Sequence, residues 1–317
     1  MTSSPAKAPD VSVVVATYNR CEVVRGAVES LMNQDSRGTS YEVIVVDNNS
    51  TDATRRTLEE LCTNYENLSY HFEPQQGVSY ARNRGIAAAR APILAFTDDD
   101  IKPAPDWVAS ISDAFRKFPD ADCIGGKVLP QTASEFPDWL TSKHWTPLAL
   151  LDMGDEPIVL DVLNGPGLVA ANLAVRAAVF KDVGLFQPEL QRVKSFIGSL
   201  EDHEFELRLG AAKKRLMYVP ELVVYAQVLD ERLNKAYHRR WYRGHGYFYA
   251  LMRNEKFESS KARLFDVPSH LYRRTCSNVF DWVRYRLSSN EELQLQQELE
   301  LQFFWGFFRK RFADLFK

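Results

Sequence analysis

The chain has 317 residues, 45% of them hydrophobic, and a formal net charge of −3 at pH 7. This length suits one large domain or a domain with an appended subdomain, and the negative charge argues against a nucleic-acid-binding protein. Four scattered cysteines without a CxxC spacing favour reduced thiols over a zinc site or a disulfide framework.

Charge is unevenly distributed along the chain. Residues 231–317 carry 17 Lys and Arg against 10 Asp and Glu, whereas the preceding part is acidic. Residues 1–10 are polar, lack the apolar core of a signal peptide, and are expected to be disordered. No stretch reaches the roughly 18 apolar residues of a membrane span. We therefore expect a cytoplasmic protein whose basic C-terminal part binds a partner.

Short apolar runs alternate with helical patterns in the N-terminal third. Four runs predict β-strands, at residues 11–16, 41–46, 68–72 and 93–96. Apolar residues at helical spacing predict helices near residues 23–31, 53–65 and 77–90. This alternation predicts an α/β domain with a mostly parallel sheet covered by helices.

Polar side chains follow three of these strands. In parallel sheets, ligands bind beyond the carboxyl ends of the strands, so these side chains are expected to form one nucleotide-type pocket. No GxGxxG or GxxxxGK[ST] motif is present, so phosphates would be neutralised by a metal and basic side chains. The residues concerned are Thr17, Asn19 and Arg20, then Asp47, Asn49 and Asp52, then Asp98 and Asp100.

Three consecutive carboxylates, Asp98, Asp99 and Asp100, follow the fourth predicted strand. Packed like charges repel one another, and partial burial adds to the free energy of holding them. A divalent cation such as Mg²⁺ or Mn²⁺ relieves this repulsion, because it prefers carboxylate and phosphate oxygens. The alternative is an acidic loop on a solvated surface.

Beyond residue 126 the pattern is irregular. Residues 130–157 predict a loop or lid, and residues 168–175 predict another strand. A helix is expected to begin near Ser199, where Asp202 stands close to the position that completes a capping box. The functional alternative for Asp202 is a carboxylate that accepts a proton from a hydroxyl nucleophile.

Taken in order, the motifs at residues 13–20, 45–52, 77–85, 96–100, 125–128 and 201–209 resemble the inverting family 2 glycosyltransferases of the GT-A fold. The resemblance covers roughly residues 11 to 245. It implies a GT-A domain over 11–245, with a nucleotide-binding half (11–125) and an acceptor and catalytic half (126–245). Residues 246–317 would form a helical C-terminal extension.

The resemblance also implies roles for individual residues. Thr17, Tyr18, Asn19 and Arg20 would lie against the nucleotide. Asp47 would accept a hydrogen bond from the base, and the same loop would be supported by Asn49 and Asp52.

Near the donor phosphates the resemblance places Arg82, for which a helix-surface arginine is the alternative. Asp98 and Asp100 match the DxD carboxylates that hold the divalent cation, with Asp98 also towards the ribose and Asp99 between them.

The Glu201–Asp202 pair completes the implied site, with Glu201 among the donor-binding residues and Asp202 as the general base. One departure concerns a histidine that many members carry after the Tyr-x-Pro strand and that helps to bind metal or diphosphate. Spacing puts Ala226 at that position; His238 and His245 are possible replacements, or packing residues.

The C-terminal segment ends in six aromatic residues beside the basic triplet 309–311. This composition fits a helix at a bilayer interface. The alternative is a helix that packs on the domain or on a second copy in a homodimer.

Two tryptophans in the predicted lid, Trp139 and Trp145, have two alternative roles. They would either stack on an acceptor sugar or pack within the lid.

Together with the C-terminal segment, the resemblance implies a metal-dependent inverting glycosyltransferase at the inner face of the cell membrane. Its donor would be a nucleotide sugar, with UDP favoured, and its acceptor a glycan or a lipid-linked saccharide. A nucleotidyltransferase is disfavoured, because residues 17–20 replace the expected glycine-rich phosphate loop. A non-catalytic sugar-nucleotide-binding or scaffold protein of a glycan-assembly complex is the alternative from another class.

Overall fold

A computed structural model describes residues 8–191 and 197–316. The chain forms two compact units. The first comprises residues up to Thr132, Ala149–Pro188 and Glu201–Gln227, and the second comprises Ala133–Leu148, Glu189–Leu200 and Val228–Lys317. Of the segment predicted to be disordered, residues 1–7 lie outside the described residues, whereas the Asp10 N–H donates to the Ser40 carbonyl at 2.8 Å.

A nine-stranded sheet forms the centre of the first unit. Its strands are β1 (Val11–Thr17), β2 (Tyr41–Asp47), β3 (Leu68–Phe72), β4 (Ile93–Asp98), β5 (Ile101–Pro103), β6 (Cys123–Gln131), β7 (Ile158–Leu160), β8 (Leu173–Arg176) and β9 (Leu216–Gln227). The helices of this unit are α1 (Cys21–Met32), α2 (Thr54–Asn64), α3 (Val78–Ala88), α4 (Trp107–Lys117), α5 (Val179–Val183) and α6 (Glu201–Ala211).

Strands follow the order β3-β2-β1-β4-β8-β6-β9-β5, with β7 paired to β9. The first four strands of this order are parallel, β8 is antiparallel to both neighbours, and β6 and β9 are parallel. The apolar runs of β1 and β2 are buried on both faces because helices cover the sheet. The predicted α/β fold class is therefore confirmed.

Two local features of the backbone lie beside the strands that lead to the site. Helix α3 lies close to β1, since a Cβ added at Gly85 would come within 2.3 Å of Val14 Cγ1. The strand predicted at residues 168–175 is shorter, because the backbone forms a 3₁₀ turn at Ala170–Asn172 before β8 begins.

The second unit is mainly helical, as predicted for the C-terminal part. Its elements are α7 (Lys235–Met252), α8 (Glu255–Glu258), β10 (Arg263–Leu264), β11 (Val267–Pro268), α9 (Ser269–Leu287) and α10 (Glu291–Asp314). Helices α7 and α10 approach closely at two glycines. A Cβ at Gly246 would lie 1.9 Å from the Phe303 carbonyl oxygen, and one at Gly306 would lie 1.8 Å from that of Arg243.

The aromatic C-terminal segment packs largely inside this unit. Phe303, Phe304 and Phe307 of α10 are buried in its apolar core. Arg311 is fully buried and pairs with Glu258 and Asp266. These contacts favour the packing alternative for α10. Of the helices in the described residues, none combines the length and the apolar content that a membrane span requires.

Candidate functional site

Three strand ends meet at one edge of the sheet, as the sequence predicts. In the parallel register, Thr17 of β1 lies beside Asp47 of β2, and Ala16 lies beside Asp98 of β4. The carboxyl ends of parallel strands share an edge, so the polar residues that follow them become neighbours.

The turn after β1 contacts the Asp triplet directly. Thr17 Oγ1 donates to Asp99 Oδ2 at 2.7 Å, and Arg20 Nη1 donates to Asp99 Oδ1 at 2.7 Å. The same Arg20 nitrogen donates to Asp100 Oδ2 at 2.8 Å. Burial raises the pKa of Asp99 to about 6, although Arg20 and Thr17 act in the opposite direction. Asp99 therefore points into the protein, where it holds the β1 turn against the triplet.

Asparagine turns join the ends of β1 and β2. Asn19 (φ 50°) and Asn49 (φ 64°) both adopt the left-handed backbone conformation, which asparagine tolerates better than most residues. The Asn19 N–H donates to Ser50 Oγ at 2.9 Å, and the Thr51 N–H donates to Asn19 Oδ1 at 2.7 Å. Tyr18 and Asn49 are exposed on this rim.

Asp47 is buried, unlike Tyr18 and Asn49 on the same rim. Its carboxylate accepts hydrogen bonds from the Ser50 N–H at 3.0 Å and from the Tyr70 hydroxyl at 3.2 Å. Burial and the charge of Asp47 raise the pKa of Tyr70 to about 12, so the hydroxyl keeps its proton. Asp52 accepts from the Thr54 N–H at 2.9 Å, at the start of α2.

Asn48 is an anchoring residue that the sequence analysis missed. Its side chain is buried, donates to the Gln75 carbonyl at 2.6 Å and accepts from the Gly77 N–H at 2.6 Å. It therefore ties the β2 loop to the start of α3. The signal in the sequence was its position directly after a buried strand. A side-chain amide there can both donate a hydrogen bond to a backbone carbonyl and accept one from a backbone N–H.

Arg82 connects two of the predicted carboxylate groups. This buried guanidinium donates to Asp98 Oδ1 at 3.3 Å and to Glu201 Oε1 at 3.2 Å. Burial alone would lower the pKa of Arg82, but Asp98, Glu201 and Asp202 together raise it. The alternative of a helix-surface arginine is therefore wrong, because the side chain lies inside the site.

The start of α6 brings Asp202 to the same place. Asp202 is half-buried and accepts from the His203 N–H at 2.8 Å. One turn later Glu206 is fully buried, and its Oε1 accepts from the Leu168 N–H at 2.9 Å. Burial, with the charge of Asp202, raises the pKa of Glu206 well above its ordinary value. The sequence analysis missed Glu206, although its helical spacing from Asp202 was a signal.

A divalent cation matches the donor chemistry of Asp98 and Asp100, whose oxygens suit Mg²⁺ or Mn²⁺. Within the described residues, no cluster of three or more His, Cys, Asp and Glu side chains surrounds such a position. Ala226 is the register partner of Ile101, and the Gln227 N–H donates to the Asp100 carbonyl at 3.2 Å. The cation would thus rely on two carboxylates and on donor phosphates.

The other predicted candidates lie in the second unit and contact aromatic rings there. His238 is fully buried, and its ring packs edge-on against Trp139 at 5.0 Å. His245 stacks on Trp241 at 4.3 Å. These contacts favour the packing interpretation of Trp139, His238 and His245, whereas Trp145 is half-buried and stays open.

Residues 12–184 match the family model described as glycosyl transferase family 2, which is more than half of the chain. The chain belongs to glycosyl transferase family 2. It is 33% identical over 192 residues to the glycosyltransferase AglE of Haloferax volcanii, covering 57% of each chain. Over 181 residues it is 29% identical to the glucosyl-dolichyl phosphate glucuronosyltransferase of the same organism, covering 55% of each. The chain spans about half the length of these curated relatives.

Two solved structures share the fold of this chain. TarS of S. aureus, residues 1–349 with UDP-GlcNAc, has a TM-score of 0.55 at 20% identity, covering 92% of this chain and 90% of that one. The mannosyltransferase PcManGT from Pyrobaculum calidifontis, with GDP-Man and Mn²⁺, has a TM-score of 0.56 at 16% identity, covering 98% and 75%. This likeness confirms the predicted GT-A fold class.

Proposed function

We propose that this chain is an inverting glycosyltransferase that moves a sugar from a nucleoside-diphosphate donor to a hydroxyl of a glycan or lipid-linked acceptor. The observation that carries the proposal is the position of Arg82, which contacts Asp98 at 3.3 Å and Glu201 at 3.2 Å. This arginine joins the DxD carboxylates to the helix that bears Asp202. The candidate metal ligands, a guanidinium suited to phosphate and a candidate base thus lie together.

Donor binding is assigned to the strand ends. Arg20 and Arg82 would bind diphosphate oxygens, because guanidinium groups suit phosphate geometry. Asp47 is engaged with Ser50 and Tyr70, yet a carboxylate offers about four acceptor positions and would retain one for a base N–H. The UDP-GlcNAc bound by TarS supports a uridine donor, whereas the GDP-Man of PcManGT keeps guanosine in the panel of donors.

Asp202 would act as the general base. The acceptor hydroxyl would transfer its proton to the Asp202 carboxylate while its oxygen attacks the anomeric carbon and the bond to the diphosphate breaks. A single displacement of this kind inverts the anomeric centre, and it needs no second carboxylate as a nucleophile. When a divalent cation is bound to Asp98 and Asp100, it supplies positive charge that stabilises the departing diphosphate.

The acceptor class is supported by the relatives. One archaeal relative is named for a dolichyl phosphate substrate, and a Campylobacter jejuni relative, 33% identical over 94 residues, is named for an undecaprenol-linked one. A lipid-linked saccharide acceptor at the membrane surface is the corresponding proposal for this chain.

A thermal-shift panel of nucleoside diphosphates and nucleotide sugars, with Mn²⁺, Mg²⁺ or EDTA, tests this function. A ligand present at about 100 times its Kd stabilises the folded state by about 2.7 kcal/mol. One nucleotide is expected to raise Tm in a metal-dependent way, and Asp100→Asn is expected to reduce that rise. A folded protein that responds to none of these nucleotides would refute the transferase assignment.

The presence of Ala226 in place of the family histidine favours one alternative, a non-catalytic sugar-nucleotide-binding or scaffold protein. Such a protein would show the nucleotide-dependent Tm shift but release no nucleoside diphosphate from its donor, even with a library of glycan acceptors. Measurable release separates the two functions.

A further inference from the structure

Helix α9 exposes an apolar stripe. Cys276, Phe280, Val283 and Leu287 recur at intervals of four, three and four residues and so share one helix face. Phe280 is 70% exposed and Leu287 is 82% exposed. The opposite face carries Leu271, which is buried in the core of the second unit. Both faces of the helix therefore carry apolar side chains. The face with Leu271 is covered by the second unit, whereas the face with Phe280 and Leu287 is exposed.

Arginines flank this stripe. By helical geometry Arg273 and Arg284 lie on one side of it and Arg286 lies on the other. In the described part of the chain, no carboxylate forms an ion pair with any of the three. Arg284 and Arg286 instead lie over the rings of Tyr285 and Trp282, at 6.0 and 5.6 Å. Helix α9 contains four arginines and a single acidic residue, Asp281.

We propose that the exposed face of α9 binds an anionic lipid surface, with Phe280, Val283 and Leu287 in the headgroup region and Arg273, Arg284 and Arg286 on lipid phosphates. An interfacial helix has this composition, with large apolar residues on one face and basic residues beside them. The stripe from Cys276 to Leu287 extends for about 17 Å along α9.

The positive charge of α9 favours an anionic lipid surface over a second copy of the chain as its binding partner. A two-fold contact places the same surface on both sides, so an α9–α9 contact would bring the unpaired arginines of both copies together. Like charges across an interface disfavour association, whereas anionic headgroups attract them. The burial of Arg311 and Lys310 also leaves α9, rather than α10, as the basic apolar helix that is open to solvent.

Under the proposed function, the exposed face of α9 would hold the protein at the surface that carries its lipid-linked acceptor. A test of that role measures lipid binding alone, so it can fail while donor binding and transfer succeed, and the reverse also holds.

Co-sedimentation of the full chain with vesicles provides the test. Vesicles of phosphatidylcholine mixed with phosphatidylglycerol are expected to bind the protein, and phosphatidylcholine alone much less. Salt should weaken the binding, because it screens exposed charges. Phe280→Ser with Leu287→Ser should lower the partition coefficient by at least about tenfold. The triple Arg→Gln variant at positions 273, 284 and 286 should lower it roughly a hundredfold at low salt.

Matched controls exclude general effects of charge and surface hydrophobicity. Arg56→Gln, Lys213→Gln and Lys261→Gln together remove the same charge from other exposed positions, and Ile158→Ser with Val159→Ser removes exposed apolar side chains from β7. Both controls should bind vesicles like the original chain. An unchanged thermal midpoint would show that the α9 variants are folded.

The proposal is overturned if the chain does not sediment with anionic vesicles, or if the α9 variants and their controls bind equally. It is also overturned if Phe280→Ser with Leu287→Ser converts a dimer to a monomer in sedimentation velocity while vesicle binding is unchanged. That result would assign the stripe to a second copy.

Discussion

The guanidinium of Arg82, on α3, donates to Glu201, the first residue of α6, at 3.2 Å, and both side chains are buried. This ion pair links elements 119 residues apart in sequence. It fixes the start of the helix that carries Asp202, and the second contact of Arg82, with Asp98, places that start beside the DxD carboxylates.

Breaking this pair should be strongly destabilising. Arg82→Met removes the guanidinium that neutralises the buried Glu201 carboxylate and is expected to lower the free energy of unfolding by about 3 kcal/mol. Glu201→Met introduced into that variant should restore part of the loss, because it removes one of the two carboxylates that Arg82 neutralises. Urea denaturation of both single variants and the double variant measures the coupling, which should exceed about 1 kcal/mol.

The exposed pair of Arg55 and Glu59 on α2 is the control for this cycle. Its coupling should be about 0.3–0.5 kcal/mol. If the Arg82 and Glu201 variants gave additive effects, the pair would not link the two helices energetically.

Arg20 should compete with a cation for the Asp triplet. Its Nη1 lies 2.8 Å from Asp100 Oδ2, so Arg20→Ala removes a positive charge from a predicted metal ligand. We expect Mn²⁺ affinity of the nucleotide-free protein to rise by roughly fivefold, a modest effect because Arg20 is partly exposed. The affinity for UDP should fall, because the same guanidinium is assigned to the diphosphate.

Isothermal titration with Mn²⁺ and with UDP measures these two opposite changes. Arg25→Ala, on helix α1 just after Arg20 and paired with Glu60, is the control and should alter neither affinity. A fall in Mn²⁺ affinity on removing Arg20 would contradict the competition.

Glu206 should give the protein a distinct pH dependence of stability. Burial raises its folded-state pKa well above the ordinary value of 4.5. The stability that the bound proton contributes is therefore complete below about pH 4.5 and is lost as the pH rises through the folded-state pKa. Glu206→Gln keeps an oxygen for the Leu168 N–H but does not titrate, so it lacks this loss.

Above about pH 5 the difference in unfolding free energy should move in favour of Glu206→Gln by up to about 1.4 kcal/mol per pH unit, until the pH reaches the folded-state pKa of Glu206. Urea denaturation at several pH values measures this slope, with the exposed Glu59→Gln as the control. A difference that does not vary with pH would mean that Glu206 ionises in the folded state as it does in the unfolded one.

The N-terminal strands could be predicted from sequence because continuous β-branched runs such as 11–16 and 41–46 are typical of strands buried on both faces. The gathering of Thr17, Asp47 and Asp98 followed from the rule that parallel strand ends share an edge. The specific partners were not predictable, because whether Arg20 binds Asp99 and Asp100 depends on side-chain packing after a turn with left-handed backbone.

For helix α10, the sequence did not predict which side chains are buried. Aromatic and basic residues in α10 resemble those of an interfacial helix, but composition does not reveal which of them are covered. Gly246 and Gly306 allow α7 and α10 to approach closely, and this contact helps to bury Phe303. Arg311 pairs with Glu258 and Asp266, which precede it by 53 and 45 residues. Such distant partners come together only in the folded chain.

The assignment of Asp202 as general base is the central claim. Its most direct test is the turnover number of Asp202→Asn for release of nucleoside diphosphate from the donor that most raises Tm, with Glu204→Gln on the same helix as the control. Loss of a positioned base should lower kcat by at least about a hundredfold and leave the nucleotide-induced Tm shift intact, while Glu204→Gln turns over normally. An Asp202→Asn variant that folds, binds the donor and retains the kcat of the original chain would contradict the account.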